Sequence, residues 1–197
     1  MQRVYSWVDH YGVAVSVPFA GSVSGGVYTY EDTKNGLLDF GFYYSYTASA
    51  EAVAAASSSS GDSFAGPMIG PTTASELANV ARNGFDLKLG VSVVGGTTIG
   101  NLDNFTGYSI NTGASLGVGA TLSNSLYNDG TPFDYFNMKA GTSLSVEFGV
   151  AAGIQFNVTD TSAISVTATF EDLVAGLASI AGFEFLPRTP GQYLVNG

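Results

Sequence analysis

The chain has no cysteine, one histidine and one tryptophan, and only 11% of its 197 residues are Asp, Glu, Lys or Arg. The absence of cysteine excludes disulfides, thiolate metal sites and a cysteine nucleophile, and leaves the compartment open. A single histidine confines any Ser-His-Asp arrangement to His10, which lies between Asp9 and Tyr11 and reads as a loop residue without a chemical role. Basic residues are equally scarce. Arg3, Lys34, Arg82, Lys88, Lys139 and Arg188 face sixteen acidic residues, and the resulting net charge of −10 repels phosphate backbones and anionic lipid alike, so nucleic acid is not an expected partner. No stretch approaches eighteen uncharged apolar residues, so no helix is expected to span a bilayer. The first ten residues lack an apolar core of signal-peptide length, which places any export signal outside this sequence.

What the chain has in place of charge is glycine, 26 of them, with abundant Ser, Thr and Ala, at 45% hydrophobic and 13% aromatic content. That apolar share is enough for a folded core. From Ser143 to Val158 the residue classes alternate with hardly a break. Leu144, Val146, Phe148, Val150, Ala152, Ile154, Phe156 and Val158 share one parity, and mostly Ser, Gly and Ala share the other with Glu147, Gln155 and Asn157. Period two means a strand with one apolar face. At about 3.3 Å per residue it would reach roughly 50 Å, so it is either one long bent strand or two joined at the glycines.

Alternation recurs along the chain. Val13 to Tyr30 carries Val13, Val15, Val17, Phe19, Val23 and Val27 on one parity, with Pro18 and Gly25-Gly26 suggesting an edge or a bulge. Glu31 to Gly36 closes a hairpin onto Leu38, Phe40, Phe42, Tyr44 and Tyr46, because Asn35-Gly36 tolerates positive φ. Ala48 to Gly66 turns to Ala and Ser, predicting an Ala-rich helical turn and then a loop. Thr73 to Glu76 has capping-box spacing for a short helix that stops at Asn83-Gly84. Further strands are expected over 85–93 and 114–122. Gly113 to Gly119 reads as a glycine-rich strand, since no helix signal and no Gly-Lys-Ser/Thr follows. Asn128 to Pro132 marks a turn or loop, and Thr159 to Ser162 is expected to be a loop leading to a hairpin partner from Ile164 to Phe170. Asp172 to Gly182 fits a short helix packing on or plugging the sheet, and the tail after Arg188 reads as irregular.

The second face of these strands carries Gly, Ser, Thr and Ala where a solvated sheet would carry Lys and Glu. Small residues admit a second layer, which suits a tightly packed barrel or sandwich with both faces partly covered. The same pattern also suits a membrane barrel, apolar outside and small-polar within. The carboxylates and the lack of a clear aromatic girdle weigh against that second arrangement; the cluster of Tyr28, Tyr30, Phe40, Phe42, Tyr43, Tyr44 and Tyr46 around the first hairpin is unusually rich, and such clusters are more often core or edge packing than an interfacial belt.

Chemistry-bearing motifs are few. Glu51, Glu76, Glu147 and Glu171 are the glutamates nearest ordered elements and the candidates for a carboxylate-dependent hydrolase. Asn101 to Asn104 spaces oxygen ligands alternately, but Phe105 occupies the next ligand place and no terminal glutamate follows, so no metal or cofactor is expected. Asn104-Phe105-Thr106 and Asn157-Val158-Thr159 match glycosylation triplets. For a closed barrel, Phe40, Phe42, Phe148 and Phe156 are the residues expected to hold a small apolar ligand.

The segment Val4-Tyr5-Ser6-Trp7-Val8-Asp9-His10-Tyr11-Gly12-Val13 resembles the end of the core of Rhs/YD-repeat proteins, where a Tyr-x-Tyr-Val stretch runs into Asp-Pro-x-Gly-Leu. Asp9 and Gly12 stand in place, with His10 at the proline and Val13 at the leucine. The glycine-rich strands that follow are similar in texture to the variable C-terminal regions found after such cores. The resemblance covers about a tenth of the chain. It implies a secreted bacterial protein whose shell carries this domain as cargo, commonly a toxin aimed at competing cells.

These readings lead to an all-β, antiparallel barrel or sandwich of about seven to nine strands with one or two short helices. Residues 1–12 would be a junction segment and 13–197 a single β-rich domain. The expected role is that of a non-enzymatic, effector-like domain acting by binding or by membrane insertion. The expected partners are a target-cell membrane, a small apolar ligand or further copies of the chain.

Overall fold

The computed structural model describes residues 6–57, 74–125 and 140–166. Within them the chain forms β1 (Ser6–Val17), β2 (Gly21–Asp32), β3 (Leu37–Thr47), α1 (Ala50–Ser57), α2 (Ala74–Asn83), β4 (Phe85–Asp86), β5 (Gly90–Ile99), α3 (Leu102–Phe105), β6 (Gly107–Ser125) and β7 (Thr142–Ser165). The seven strands make one antiparallel sheet, so the expected all-β fold with short helices is what the chain adopts. The pairing order is β3-β2-β1-β5-β7, and β3 pairs β7 as well, which closes the sheet into a ring.

Strand directions explain the length of β7. β1 is antiparallel to both β2 and β5, and β2 to β3, so β3 and β5 run in opposite senses. β7 is nevertheless antiparallel to both, through Ser143–Gly149 against β5 and Thr159–Ser165 against β3. Its two halves must therefore run in opposite directions. The strand folds over between Gly149 and Gly153, where Gly153 adopts φ +137, a conformation a residue with a Cβ rarely takes. β6 follows β7 over the same crest, with a register shift between Leu116 and Val118. β1, β2, β3 and β5, the short β4 paired to the second half of β7, and the two halves each of β6 and β7 thus wall the barrel. Of the two forms expected for the run from Ser143, the single bent strand is the one observed.

Three local expectations change. Residues 159–162 form no loop, because they sit in the β7 ladder against β3 and β6, and a strand partner beyond 166 falls outside the described residues. Pro18 ends β1 at a tight turn with Phe19 at φ 64, and β2 is no edge strand, since β1 and β3 flank it. Gly25 and Gly26 stay in regular register; a Cβ on Gly26 would stand 1.9 Å from the Tyr11 carbonyl oxygen, so glycine is needed for close approach and not for a bulge. β1 runs unbroken from Ser6 to Val17, through residue 12.

The hairpin between β2 and β3 forms as expected. The Asp32 carboxylate accepts from the Lys34 and Asn35 amides at 2.9 and 3.1 Å, and Gly36 takes φ 64. α2 ends where expected too, the Gly84 amide donating to the Val80 carbonyl. Its capping residue Thr73, the 58–73 stretch, the loop at Asn128 to Pro132 and the helix expected from Asp172 lie outside the described residues. α1 and α2 pack against Ile110, Phe156 and Val158 on one flank of the barrel, forming one small apolar core with Val53, Leu77 and Val80. The second core is inside, where Val8, Tyr28, Tyr30 and Tyr43 meet Leu102 and Phe105 of α3.

Candidate functional site: a polar lumen

Each strand sends alternate side chains into the ring and out of it, and the distribution is the reverse of a soluble protein's. Apart from the aromatic core at α3, the inward parity is polar: Ser16, Ser92, Thr98, Asn111, Ser115, Ser143, Ser145, Glu147 and Gln155 are all buried. The outward parity is apolar. Val13 pairs with Val93 and Val93 with Phe148, and all three are half exposed or more; Val15, Val91, Val146, Phe40, Phe42 and Ile164 are exposed as well. At the crest, Leu116 and Val150 are 85% and 81% exposed.

The inward side chains surround a cavity of about 120 Å³ that reaches from Ser16 and Ser22 at one end of the strands to Ser125 and Ser143 at the other. Lys88, between β4 and β5, turns its ammonium into this cavity and pairs with Glu147 Oε2, which also accepts from Ser92 Oγ at 2.8 Å. Both ions are almost fully buried, so each depends on the other to offset lost hydration. Asp86 accepts from Asn157 Nδ2 at 3.0 Å and from the Lys88 amide. Burial still pushes its pKa upward, against the smaller opposing effects of those donors and of Lys88. Asp39 accepts from Tyr28 Oη at 3.0 Å and from Ser165 Oγ at 2.6 Å, tying β2 and β3 to the end of β7.

His10 is not a loop residue. It sits in β1 with its ring against Tyr43 and Phe105 and shares a 3.1 Å hydrogen bond with Ser145 Oγ. Burial lowers its pKa to about 4, with Asp9 opposing, so it is neutral at pH 7. No triad results: Asp9 lies on the outer parity, where Thr97 Oγ1 donates to it. Burial also raises the Tyr30 and Tyr43 hydroxyls to about 12.

The four phenylalanines expected to hold an apolar ligand do not converge. Phe40, Phe42 and Phe148 point outward and are exposed, while Phe156 packs beneath α2, and none lines the cavity. The reason is parity: the apolar side of every strand is the outside. Of the four glutamates, Glu147 alone is seen in the lumen; Glu51 is exposed on α1, and the Glu76 side chain and Glu171 lie outside the described residues. The oxygens of Asn101 and Asn104 are occupied in a reciprocal cap of α3, each accepting from the other's backbone amide, which explains their spacing without a cation. Among the described residues no group of three metal-ligating side chains occurs. Asn104 and Asn157 are both buried, so neither triplet presents an accessible acceptor.

No family model, curated protein or solved structure matches the chain. The geometry alone carries the functional argument. Sequence reasoning missed Lys88, Ser92, Ser145 and His10 as a group because they come from separate segments. Their signal was the small-polar parity itself, which locates the inside of a barrel only once the direction of the apolar parity is known.

Proposed function

We propose that this chain acts as a β-barrel inserted in a membrane, its apolar parity toward lipid and its polar parity around a hydrated lumen. The observation that carries the reading is the inversion itself: exposed Val, Leu, Ile and Phe on the outer face of the same strands whose inner face buries Ser, Thr, Asn, Lys and Glu. A contiguous apolar band of this size is costly in water and marks a surface meant for lipid or protein. Its dimensions suit lipid. β1, β2, β3 and β5 have 12, 12, 11 and 10 residues, close to the roughly 9–11 that a tilted strand needs to cross a bilayer. In β1 the outward residues run apolar from Tyr11 to Val17, about 20 Å along the strand, before the polar row of Asp9, Thr29 and Thr97 begins. Trp7, one row further, is placed for a headgroup region. No helix among the described residues is long and apolar enough to cross. With the Rhs/YD resemblance of the first residues, the role is that of a secreted bacterial effector domain whose target is the membrane of another cell.

The test is flotation with liposomes of bacterial-type lipid, read together with Trp7 fluorescence. Co-flotation with a blue shift of Trp7, and gel mobility that changes on heating, is expected. A chain that stays in the aqueous fraction as a monodisperse oligomer would overturn the proposal and assign the apolar face to self-association.

A further inference from the structure

Resting on the membrane reading, we infer that the lumen conducts small cations and that the Lys88–Glu147 pair is its constriction. Three observations lead there. The cavity extends along the barrel, with serine hydroxyls at both of its ends: Ser16 and Ser22 at one, Ser125 and Ser143 at the other. About 120 Å³ is room for several waters at roughly 30 Å³ each. Val8, Tyr28 and Tyr30 of the aromatic core stay out of the cavity's lining, while Ser16, Ser22 and Ser45 of β1, β2 and β3 face Ser109, Ser143 and Glu147 of β6 and β7 across it.

Second, this path holds polar atoms that the protein leaves unserved. His10 Nδ1, Thr98 Oγ1 and Glu147 Oε1 are buried with no hydrogen-bond partner among the described residues, and all three residues line the cavity. Buried polar groups without protein partners call for water or a ligand. Carboxylate, hydroxyl and imidazole together serve water and a passing cation.

Third, the lumen has a sign. The ionisable lining of the cavity is Lys88, Glu147 and neutral His10, whose charges cancel, while the buried carboxylates Asp39 and Asp86 stand outside that lining and leave the buried charge around it negative. Even with Asp86 protonated, the balance stays negative. In a low-dielectric tube such a balance favours cations and repels anions. Lys88 is the only buried cation among the described residues, and it faces Glu147 in the cavity wall, where its ammonium occupies the position a passing cation would take.

The experiment uses the full chain in planar bilayers and in potassium-loaded liposomes, with insertion scored separately by flotation and heat-modifiable mobility. Inserted wild-type protein is expected to conduct, with a reversal potential in a KCl gradient showing potassium preferred over chloride by several-fold. K88Q, which removes the cation from the constriction, should raise conductance and selectivity several-fold. E147Q should lower the selectivity. The neutral pair K88Q/E147Q keeps the shape without an unpaired ion, so it covers the case in which a single variant does not fold, and should conduct with weaker preference than K88Q. Protein that inserts but passes no potassium, in wild type and in the double variant, would overturn the conduction proposal while leaving the membrane barrel intact. Identical conduction by wild type and all variants would overturn it as well. Protein that fails to insert overturns the membrane reading instead.

Discussion

Glu147 and Phe148 are consecutive residues of β7 and belong to opposite worlds: Glu147 is 3% exposed, bound to Lys88 inside the ring, and Phe148 is 57% exposed on its outside. One peptide bond separates a buried ion pair from a bare aromatic ring. A soluble barrel would place them the other way round. A strand's period of two enforces the contrast, because turning one residue outward turns its neighbour inward.

The outer band can be tested where it is most continuous, at Val13, Val93 and Phe148, which lie side by side on β1, β5 and β7. Val13→Arg leaves the lumen and both cores untouched, so the barrel should keep its far-UV circular dichroism. If the band meets lipid as proposed, a cation in its middle costs about 2–4 kcal/mol, which lowers vesicle partitioning roughly 30- to 1,000-fold. Ser145→Arg on the inner parity of the same region should instead damage folding. If Val13→Arg partitions like wild type, this face does not meet lipid.

Much of the fold was legible because alternation and turn chemistry are local. The hairpin at Asp32 to Gly36, both outer helices and the long run from Ser143 could be read from residues within a few positions of each other. Which side of the strands was inside could not. An apolar parity opposite a small-polar one fits either orientation until closure is known, and closure depends on β7 pairing with β3 and β5 from its two halves. The tyrosine-rich hairpin shows the consequence. Tyr28, Tyr30 and Tyr43 are buried within the ring, while Phe40, Phe42, Tyr44 and Tyr46 are on its surface, so one apparent cluster is two. His10 escapes a sequence reading for a related reason: its partners Ser145 and Phe105 are remote along the chain.

Ring closure rests on a seam with little slack. Gly41 of β3 lies opposite Ser165 of β7, and a Cβ there would stand 2.0 Å from the Ile164 carbonyl oxygen and 2.8 Å from the Tyr28 ring. Neither neighbour moves cheaply, one being backbone and the other buried. Gly41→Ala should therefore destabilise the barrel by about 1–3 kcal/mol, the range for overpacking. Denaturant titration should show a lower midpoint with the slope retained; an unchanged midpoint would mean that β3 and β7 do not close the ring there.

The buried ion pair predicts a pattern of non-additivity. Lys88→Gln leaves Glu147 with Ser92 as its remaining donor, and Glu147→Gln leaves Lys88 without its counter-ion, each costing about 3–5 kcal/mol as an uncompensated buried charge. Replacing both should cost far less than the sum, because no ion is then left alone. Chemical unfolding of the two single variants and the double variant closes this cycle. Additive losses would show that the ammonium and carboxylate do not interact inside the folded protein.

His10 gives stability a pH dependence whose direction follows from burial. Its pKa falls from 6.5 to about 4 in the folded chain, so at pH 7 it is neutral in the folded state and mostly neutral in the unfolded one, and its effect on stability there is small. As pH drops below 6.5 the unfolded chain takes up a proton that the folded chain refuses, and stability declines until about pH 4. The full loss is on the order of 3 kcal/mol. Asp86 works the other way, since its raised pKa lets the folded state hold a proton more readily in acid, and it offsets part of the loss. His10→Gln keeps a polar side chain in reach of Ser145 Oγ and cannot titrate. Wild type should lose several degrees of Tm relative to this variant between pH 7 and pH 4.5, and parallel Tm curves would mean that His10 is solvated or already charged in the folded barrel.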